Sequence, residues 1–397
     1  MAVPRQWILM DAAARLWVED FHLDAATCGM EGNWSVTKRT LRGGMSDGVD
    51  LIEVDNGELS FIVLPTRGMG IWKGTYRGLS IGWDSPVRGP VHPSLVDLQD
   101  RGGLGFLTGF DEAIVRCGLD SMGAPGPDVV PNNMGVPTQV DLTLHGRIAN
   151  LPASQVEVAI QDGDPPELVV TGTVYETGLF YPGFRLVARV STPLGANRLH
   201  ITDQVTNLRG VAAEMELLYH CNFGRPFLEA GARLVTAARL VAPRDARAVE
   251  GIDTCDTYLD PTPGYVEQAY WYRLLGDDAG RTVAMLRNAA GDRGVALRFN
   301  LNELPAFAQW KNTAAISDGY VTGLEPATDY PNAKSFERDK GRLLRMEPGG
   351  VYTTHLDLEV HEDRAGVTGV EAEIARLQQQ AERQVHREPV PEYSPGA

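Results

Sequence analysis

Residues 167–205 read ELVVTGTVYETGLFYPGFRLVARVSTPLGANRLHITDQV and contain three runs in which apolar side chains recur at alternate positions. The runs are Glu167–Tyr175, Phe184–Ser191 and Arg198–Val205. The first gap contains the turn signal Pro182-Gly183, and the second contains Gly195-Ala196-Asn197. Alternation with this period is typical of strands that bury one face, and short turns between such strands predict antiparallel pairing. We therefore expect this stretch to form three neighbouring antiparallel strands.

Similar runs continue in both directions along the chain. They are rich in Val, Ile, Leu, Tyr and Thr, and they include Leu59–Leu64, Glu214–Tyr219, Thr282–Arg287, Gly294–Phe299, Gly341–Met346 and Tyr352–Val360. The sequence does not show the regular alternation of strands and helices that is typical of Rossmann and TIM-barrel folds. It predicts an all-β protein, built as a large antiparallel β-sandwich with short terminal helices.

Helices are predicted only near the two ends. Asp11–Phe21 is a short amphipathic stretch, and Glu371–Arg387 is rich in Ala, Leu, Gln and Glu, which favour helix. The final stretch, Glu388–Ala397, contains three prolines and is predicted to be a frayed tail. The expected organisation is an N-terminal extension with a short helix (residues 1–44), one sandwich domain (residues 45–362), and a C-terminal helix with its tail (residues 363–397).

Composition limits the partners and the compartment. The formal net charge is −16, and an acidic surface repels both the phosphates of nucleic acids and anionic membranes. The sequence has no apolar run of about 18 residues that could span a bilayer. Asp11 interrupts the N-terminal region before a secretory core could form. We expect a cytoplasmic protein without nucleic-acid or membrane partners.

The cysteines agree with that compartment. They are scattered, without CxxC spacing, at Cys28, Cys117, Cys221 and Cys255. This spacing indicates neither a zinc site nor a disulfide framework. Free thiols are the usual state of cysteine in a reducing cytoplasm, and we expect that state here.

Three short motifs carry histidine or carboxylate groups next to predicted strands. They are Leu144-His145-Gly146-Arg147, Leu218-Tyr219-His220-Cys221-Asn222-Phe223-Gly224, and Gly323-Leu324-Glu325-Pro326, the last followed by Tyr330-Pro331-Asn332-Ala333. A single histidine at a strand end is more often a structural hydrogen-bonding group than a catalyst. A single glutamate before proline is more often a surface carboxylate. Only the combination of the motifs indicates a function.

Together, these motifs resemble those of the galactose mutarotase (aldose 1-epimerase) superfamily. In that family an Asp-Val-Thr-Asn-like segment precedes a strand that ends in histidine, with asparagine and glycine just after it. Here the corresponding segment is Asp203–Asn207, followed by Glu214–Tyr219, His220, Asn222 and Gly224. The Leu-His-Gly motif and the Leu-Glu motif follow the family order as well. The resemblance covers about residues 45–362.

The chain also departs from the family pattern. Arg147 replaces the second glycine of the usual Leu-His-Gly-Gly, and Cys221 replaces the usual aromatic residue between histidine and asparagine. The segment Pro65–Gly70 differs from the familiar one around the first arginine. These differences place the chain in a divergent branch and leave the sugar undetermined.

The resemblance implies a cofactor-free acid–base reaction on the concave face of one sheet. It implies His220 as general acid and Glu325 as general base, with His145 beside them. Mutarotation needs such a pair, because a base removes the proton of the anomeric hydroxyl while an acid protonates the ring oxygen. The reference pKa values of glutamate and histidine, about 4.3 and 6.5, allow the two groups opposite protonation states near neutral pH.

Further residues near the motifs are candidates for binding the sugar. They are Arg67, Arg147, Asn222, Arg225, Trp310, Lys311 and Asn332. The cations among them predict a preference for an acidic sugar, since the guanidinium fork matches a carboxylate. They could equally pair with acids such as Asp84, Asp120 or Glu267. Trp83, Trp310 and Tyr265 are candidate platforms for the apolar face of a sugar.

Two glycine-rich connections are candidate walls of the cleft. The first runs from Gly82 to Pro93, and the second consists of Gly102–Gly109 followed by Arg116–Gly123. Loops of this kind often line binding sites, although they are also ordinary connections.

Two other functions remain open at this stage. One is a metal-assisted sugar isomerase, with His145, His220 and Glu325 or Glu267 as ligands for Zn²⁺ or Mn²⁺. The other is a non-catalytic carbohydrate-binding protein. The sequence also leaves a homo-oligomer open.

Overall fold

The runs within residues 167–205 form three adjacent antiparallel strands in the computed structural model, which describes residues 5–395. The strands of the described chain are β1 (Gln6–Asp11), β2 (Leu16–Trp17), β3 (Phe21–Asp24), β4 (Ser35–Thr40), β5 (Asp50–Asp55), β6 (Leu59–Leu64), β7 (Gly70–Tyr76), β8 (Leu79–Ile81), β9 (Ile114–Leu119), β10 (Gly126–Pro131), β11 (Pro137–Leu142), β12 (Gln155–Gln161), β13 (Glu167–Glu176), β14 (Phe184–Pro193), β15 (Arg198–Asn207), β16 (Ala213–Phe223), β17 (Arg233–Thr236), β18 (Ala238–Pro243), β19 (Gln268–Leu274), β20 (Arg281–Arg287), β21 (Gly294–Asn300), β22 (Ala306–Asn312), β23 (Val321–Ala327), β24 (Leu344–Met346), β25 (Val351–His361) and β26 (Gln384–Val385).

Two large sheets contain most of these strands. The ten-stranded sheet has the order β17-β20-β21-β25-β15-β14-β13-β12-β1-β2. The fourteen-stranded sheet follows the path β26-β18-β19-β22-β23-β16-β9-β7-β6-β5-β4-β3, with β24 and β8 attached to β16 and β7. Apolar side chains from both sheets meet in one core. The prediction of a large antiparallel β-sandwich is confirmed; within the described residues, the one parallel strand pair of these sheets is β18 with β26.

The two sheets differ in how their outer faces are covered. Strand β14 of the ten-stranded sheet alternates buried and half-buried side chains along most of its length, because its outer face is open to solvent. In the fourteen-stranded sheet, β23 is buried at every position, and so is β16 from Met215 onward. In a second apolar cluster, side chains of the outer face of these central strands pack against residues from outside the strands, among them Trp83, Phe106 and Phe110.

The helices are short, apart from the last one. Their bounds are α1 (Ala25–Cys28), α2 (Asp100–Gly103), α3 (Ala246–Val249), α4 (Lys334–Asp339) and α5 (Arg364–Gln378). None of the helices in the described chain is long and apolar enough to cross a membrane.

The predicted helix at Asp11–Phe21 is wrong. Strand β1 ends at Asp11, turns back into β2 and pairs with it through Met10 and Trp17. On its other side β1 pairs with β12, and Leu9 is buried in the core. Hydrogen bonds to distant strands therefore outweigh the weak local helical pattern.

The C-terminal helix begins earlier and ends earlier than Glu371–Arg387. Asp363 caps it by accepting a hydrogen bond from the backbone N–H of Gly366 at 2.7 Å. Its apolar side chains Val367, Val370, Ile374 and Leu377 follow helical spacing and pack onto the ten-stranded sheet. This packing compensates for the two glycines that lower helix propensity in the first turns.

The terminal segments are integral parts of the sandwich. Strand β4 pairs with β5 across the boundary expected at residue 44, so the N-terminal region is not an appended extension. Tyr393 and Ser394 are buried, and the Tyr393 ring lies 5.4 Å from that of Tyr330. The prediction of a frayed tail is therefore wrong for residues 388–395, while residues 396–397 lie outside the described chain.

Candidate active site

Two neighbouring strands bring His220 and Glu325 together on the outer face of the fourteen-stranded sheet. His220 lies within β16 rather than at its end, and β16 pairs with β23 through Asn222 opposite Gly323. Side chains alternate along each strand, so His220 and Glu325 project to the same side. A side chain at residue 323 would clash, because its Cβ would lie 2.6 Å from Glu325 Oε1 and 2.7 Å from His220 Cε1. Glycine at this position makes room for the pair.

The two side chains form a close and nearly sealed pair. Nε2 of His220 lies 3.2 Å from Oε1 of Glu325, and the side chains are 5 % and 4 % exposed. Burial raises the pKa of Glu325 to about 8, with a contribution from the negative charge of Glu267. Burial also lowers the pKa of His220 well below its ordinary value. The order expected from the reference pKa values is thus reversed, because a low-dielectric site disfavours both charged forms.

His145 completes a cluster of rings around this pair. Its ring centroid lies 5.3 Å from that of His220, and its Nδ1 is 2.9 Å from the carbonyl oxygen of Met122. Burial lowers the pKa of His145 to about 4, so the ring is neutral at physiological pH. Phe106 packs edge-on against His145 at 4.8 Å, and Phe110 packs edge-on against His220 at 5.0 Å.

Trp310 forms the partly exposed edge of the cluster. Its ring lies 5.5 Å from His220, and its indole N–H donates to Oε2 of Glu267 at 2.6 Å. Arg244 donates to the other oxygen of Glu267 at 3.0 Å. A charged pair therefore holds one aromatic wall beside the histidine and the glutamate.

Three of the predicted sugar-binding residues are engaged inside the protein. Arg67 is fully buried and donates to Glu112 Oε1 at 2.6 Å and to the carbonyls of Val91 and Gly109, both at 2.8 Å. Its assignment as a sugar ligand is wrong, since all three guanidinium nitrogens donate to protein groups.

Lys311 and Asn332 are also engaged by protein groups. Lys311 follows Trp310 along β22 and therefore projects to the opposite face, where its Nζ donates to the carbonyls of Thr254 and Thr257. The amide of Asn332 is buried and donates to Glu337 and to the carbonyl of Tyr393.

The remaining predicted ligands divide into two groups. Asn222 is fully buried and bonded to His220 at 2.6 Å. Arg147 and Arg225 are exposed to solvent. Of the four cations expected around the cleft, Arg67 and Lys311 are thus held by protein groups.

Sequence reasoning missed Phe110 and Arg244 as neighbours of the pair, and it named Glu267 only as a partner for the cations or as an alternative metal ligand. The glycine-rich connections did carry a signal, since Trp83 and Phe106 come from them and pack in the cluster over the site. Arg244 and Glu267 come from segments without a motif, and only strand pairing brings them near Trp310.

Two surface cavities, of about 830 and 480 Å³, do not contain the pair. The larger one lies beside α5 and is lined by residues including Arg298, Phe299 and Leu377. Within residues 5–395, no group of three or more His, Cys, Asp or Glu side chains is placed to hold a metal ion.

Known structures share this architecture. A protein from Klebsiella pneumoniae subsp. pneumoniae MGH 78578, described as a candidate aldose 1-epimerase, is 31 % identical, with a TM-score of 0.91 over 97 % of this chain and 99 % of that one. A galactose mutarotase-like protein from Clostridium acetobutylicum is 15 % identical, with a TM-score of 0.55 over 82 % and 98 %. A galactose 1-epimerase from Lactobacillus acidophilus NCFM is 12 % identical, with a TM-score of 0.51 over 83 % and 100 %.

Sequence comparison identifies the family. The model of a domain of unknown function, DUF4432, matches residues 46–360, whereas no curated protein matches the chain. The family match spans most of the sandwich, and the Klebsiella protein is similar over nearly its whole length. The chain therefore belongs to the DUF4432 family, and its fold is that of the galactose mutarotase-like proteins.

Proposed function

We propose that this protein is a sugar mutarotase or epimerase of the aldose 1-epimerase type, which opens and recloses a cyclic hemiacetal. The observation that carries the proposal is the buried contact between Nε2 of His220 and Oε1 of Glu325 at 3.2 Å. One acid and one base at a single point suit this reaction, and a strongly perturbed pair in an enclosed site is typical of catalysis. The similarity to described epimerases supports the same reaction class.

The raised pKa of Glu325 and the lowered pKa of His220 determine where the proton of the pair resides at neutral pH. Glu325 keeps it, and Nε2 of His220 has a free lone pair. In ring opening, Nε2 takes the proton of the anomeric hydroxyl while the bond between C1 and the ring oxygen breaks. Glu325 delivers its proton to the ring oxygen. Rotation about C1–C2 and the reverse transfers then give the other anomer. The roles expected from the sequence are thus exchanged.

A sugar needs access to this site. The pair is almost fully covered, and Phe106 and Phe110 pack over the two histidines. The loop that carries both phenylalanines must therefore move to admit a substrate, as active-site loops do in many enzymes. Trp310, at the exposed edge, then offers a surface for the C–H face of the sugar.

Anomer exchange measured by saturation-transfer NMR tests the proposal on a panel of neutral and acidic aldoses. Glu325→Gln and His220→Ala should each slow exchange by about 10²-fold or more, because each removes one proton-transfer group. His200→Gln is the matched control, since His200 also pairs with a carboxylate, Asp357, but on the open face of the ten-stranded sheet. Unchanged exchange in both site variants would refute the proposal.

The exchange assay, combined with calorimetry and with metal removal, distinguishes the other two functions. A binder without catalysis would show sugar binding by calorimetry but no exchange above background. A metal-assisted isomerase would lose activity on chelation and regain it with Zn²⁺ or Mn²⁺. We further propose a cytoplasmic location, which the four buried free cysteines support.

A further inference from the structure

The side chain of Asn222 has only one orientation that satisfies its surroundings. It is fully buried, and Nδ2 lies 2.9 Å from the carbonyl oxygen of Glu112 and 3.1 Å from that of His220. Carbonyl oxygens only accept hydrogen bonds, so the amide nitrogen of Asn222 must face them. Its Oδ1 is then left facing Nδ1 of His220 at 2.6 Å.

This orientation determines the tautomer of His220. An amide oxygen cannot donate, so Nδ1 of His220 must carry the proton in this contact. In the neutral ring the other nitrogen, Nε2, is then unprotonated, and it is the nitrogen that faces Glu325. The opposite tautomer would place two lone pairs against each other at 2.6 Å.

We propose that Asn222 is a positioning residue that holds His220 in the tautomer with its proton on Nδ1, so that Nε2 is the atom that exchanges protons. This inference rests on the proposed function. When Nε2 takes the proton of the anomeric hydroxyl, the His220 ring becomes an imidazolium with a proton on each nitrogen, and the hydrogen bond from Nδ1 to Asn222 is retained. On reclosure Nε2 gives its proton to the carbonyl oxygen at C1 while Glu325 takes the proton of the attacking hydroxyl, which restores the resting pair. Asn222 itself does not touch the sugar.

The acceptor that orients Asn222 is itself held in place. The carbonyl of Glu112 also accepts the indole N–H of Trp83 at 3.1 Å, and the carboxylate of Glu112 accepts from the buried Arg67 at 2.6 Å. Arg67 therefore contributes to the site through the backbone of Glu112. Arg67, which the sequence indicated as a sugar ligand, therefore supports the tautomer of His220 indirectly, through Glu112 and Asn222.

Long-range ¹H–¹⁵N correlation of the histidine rings measures the tautomer directly, without any sugar. The sample is the full-length protein labelled with ¹⁵N-histidine at neutral pH, and His220→Gln assigns the signals of His220. We expect a protonated Nδ1 and an unprotonated Nε2 for His220. His145 is an internal reference, because its Nδ1 faces the carbonyl of Met122 and should show the same tautomer in every variant.

Two variants test whether Asn222 is the cause. Asn222→Leu has a similar size but no acceptor, and it should leave His220 as a mixture of tautomers and lower kcat by about tenfold or more with little change in KM. Asn222→Asp keeps an acceptor at Nδ1 and should restore the tautomer and part of kcat.

Two results would overturn the inference: a proton on Nε2 in the wild-type protein, or an unchanged His220 spectrum in folded Asn222→Leu. If Asn222→Leu does not fold, the tautomer of His220 in the wild-type protein and in Asn222→Asp tests the inference. If the tautomer is as expected but no aldose is exchanged, the inference about His220 stands and the proposed function fails.

Discussion

Two histidine–carboxylate pairs, one on each large sheet, have the same chemistry in different surroundings. His200 and Asp357 face each other on β15 and β25 with Nδ1 and Oδ1 2.7 Å apart, and their side chains are 25 % and 35 % exposed. His220 and Glu325 are 5 % and 4 % exposed. Water can solvate the charges of the first pair, whereas the second pair is desolvated and its pKa values shift. Residue type alone therefore does not determine whether a histidine–carboxylate pair is desolvated.

The two pairs differ in exposure because the outer faces of the two sheets are covered differently. Strands β15 and β25 leave alternate side chains accessible to solvent. The face of β16 and β23 is instead covered by loop residues, which include Trp83, Phe106 and Phe110. A second buried face on one sheet turns ordinary titratable residues into a candidate site.

The largest expected difference between the two environments concerns ion pairs. Arg67→Met breaks a pair with Glu112 in which both side chains are fully buried, and it should lower the free energy of unfolding by about 3–5 kcal/mol, because a buried charge is left without its partner. Arg233→Met, in the exposed pair with Asp256 on the ten-stranded sheet, should cost less than about 1 kcal/mol. Urea unfolding measures both. Equal costs would contradict the contrast between the sheets.

The next largest effect is expected in the pH dependence of anomer exchange. Glu325 has a raised pKa of about 8, so it holds its proton below that pH and loses it as the pH rises. The rate of anomer exchange should be flat near neutral pH and fall about tenfold per unit above pH 8, since loss of the proton removes the acid. A pH–rate profile of the wild-type protein measures this.

A substrate-free measurement checks the same assignment. The infrared difference between wild type and Glu325→Gln should show a carboxylic acid signal at pH 7 that disappears as the pH passes about 8. A carboxylate signal at pH 6 would contradict the shift.

A smaller effect on the free energy of unfolding is expected for a substitution in the C-terminal tail. Ser394 accepts the indole N–H of Trp271 at 3.1 Å, and both residues are buried. Ser394→Ala leaves a buried donor unsatisfied and should cost about 1–2 kcal/mol. Ser317→Ala, in an exposed turn, is the control, and its thermal unfolding should match that of the wild type. A neutral result at both positions would mean that the tail adds little to the covered face.

The smallest effect concerns the charge of the sugar. Arg67 and Lys311 are engaged by protein groups, so at most two of the four cations that the sequence indicated, the exposed Arg147 and Arg225, are available to an acidic sugar. Calorimetric titration of a matched aldose and uronate should show affinities within about threefold, corresponding to less than about 1 kcal/mol. A uronate bound tenfold more tightly, with the preference lost in Arg147→Ala, would restore the acidic sugar as the substrate class.

The sequence alone was sufficient for the sandwich and for the residue types of the candidate site. The alternation in Glu167–Tyr175, Phe184–Ser191 and Arg198–Val205 is a local property, because one face of each strand packs on the core. The mutarotase-like motifs singled out His220 and Glu325 through residue type and order along the chain.

Only the tertiary structure decided how these residues are used. Pairing of β16 with β23 brings His220 next to Glu325. Because side chains alternate along β22, Lys311 points away from the face that Trp310 occupies. Burial beneath distant loops reverses the pKa order of the pair. The helical pattern at Asp11–Phe21 likewise gave way to pairing with β12. These outcomes depend on contacts between residues far apart in the chain, and local periodicity carries no information about such contacts.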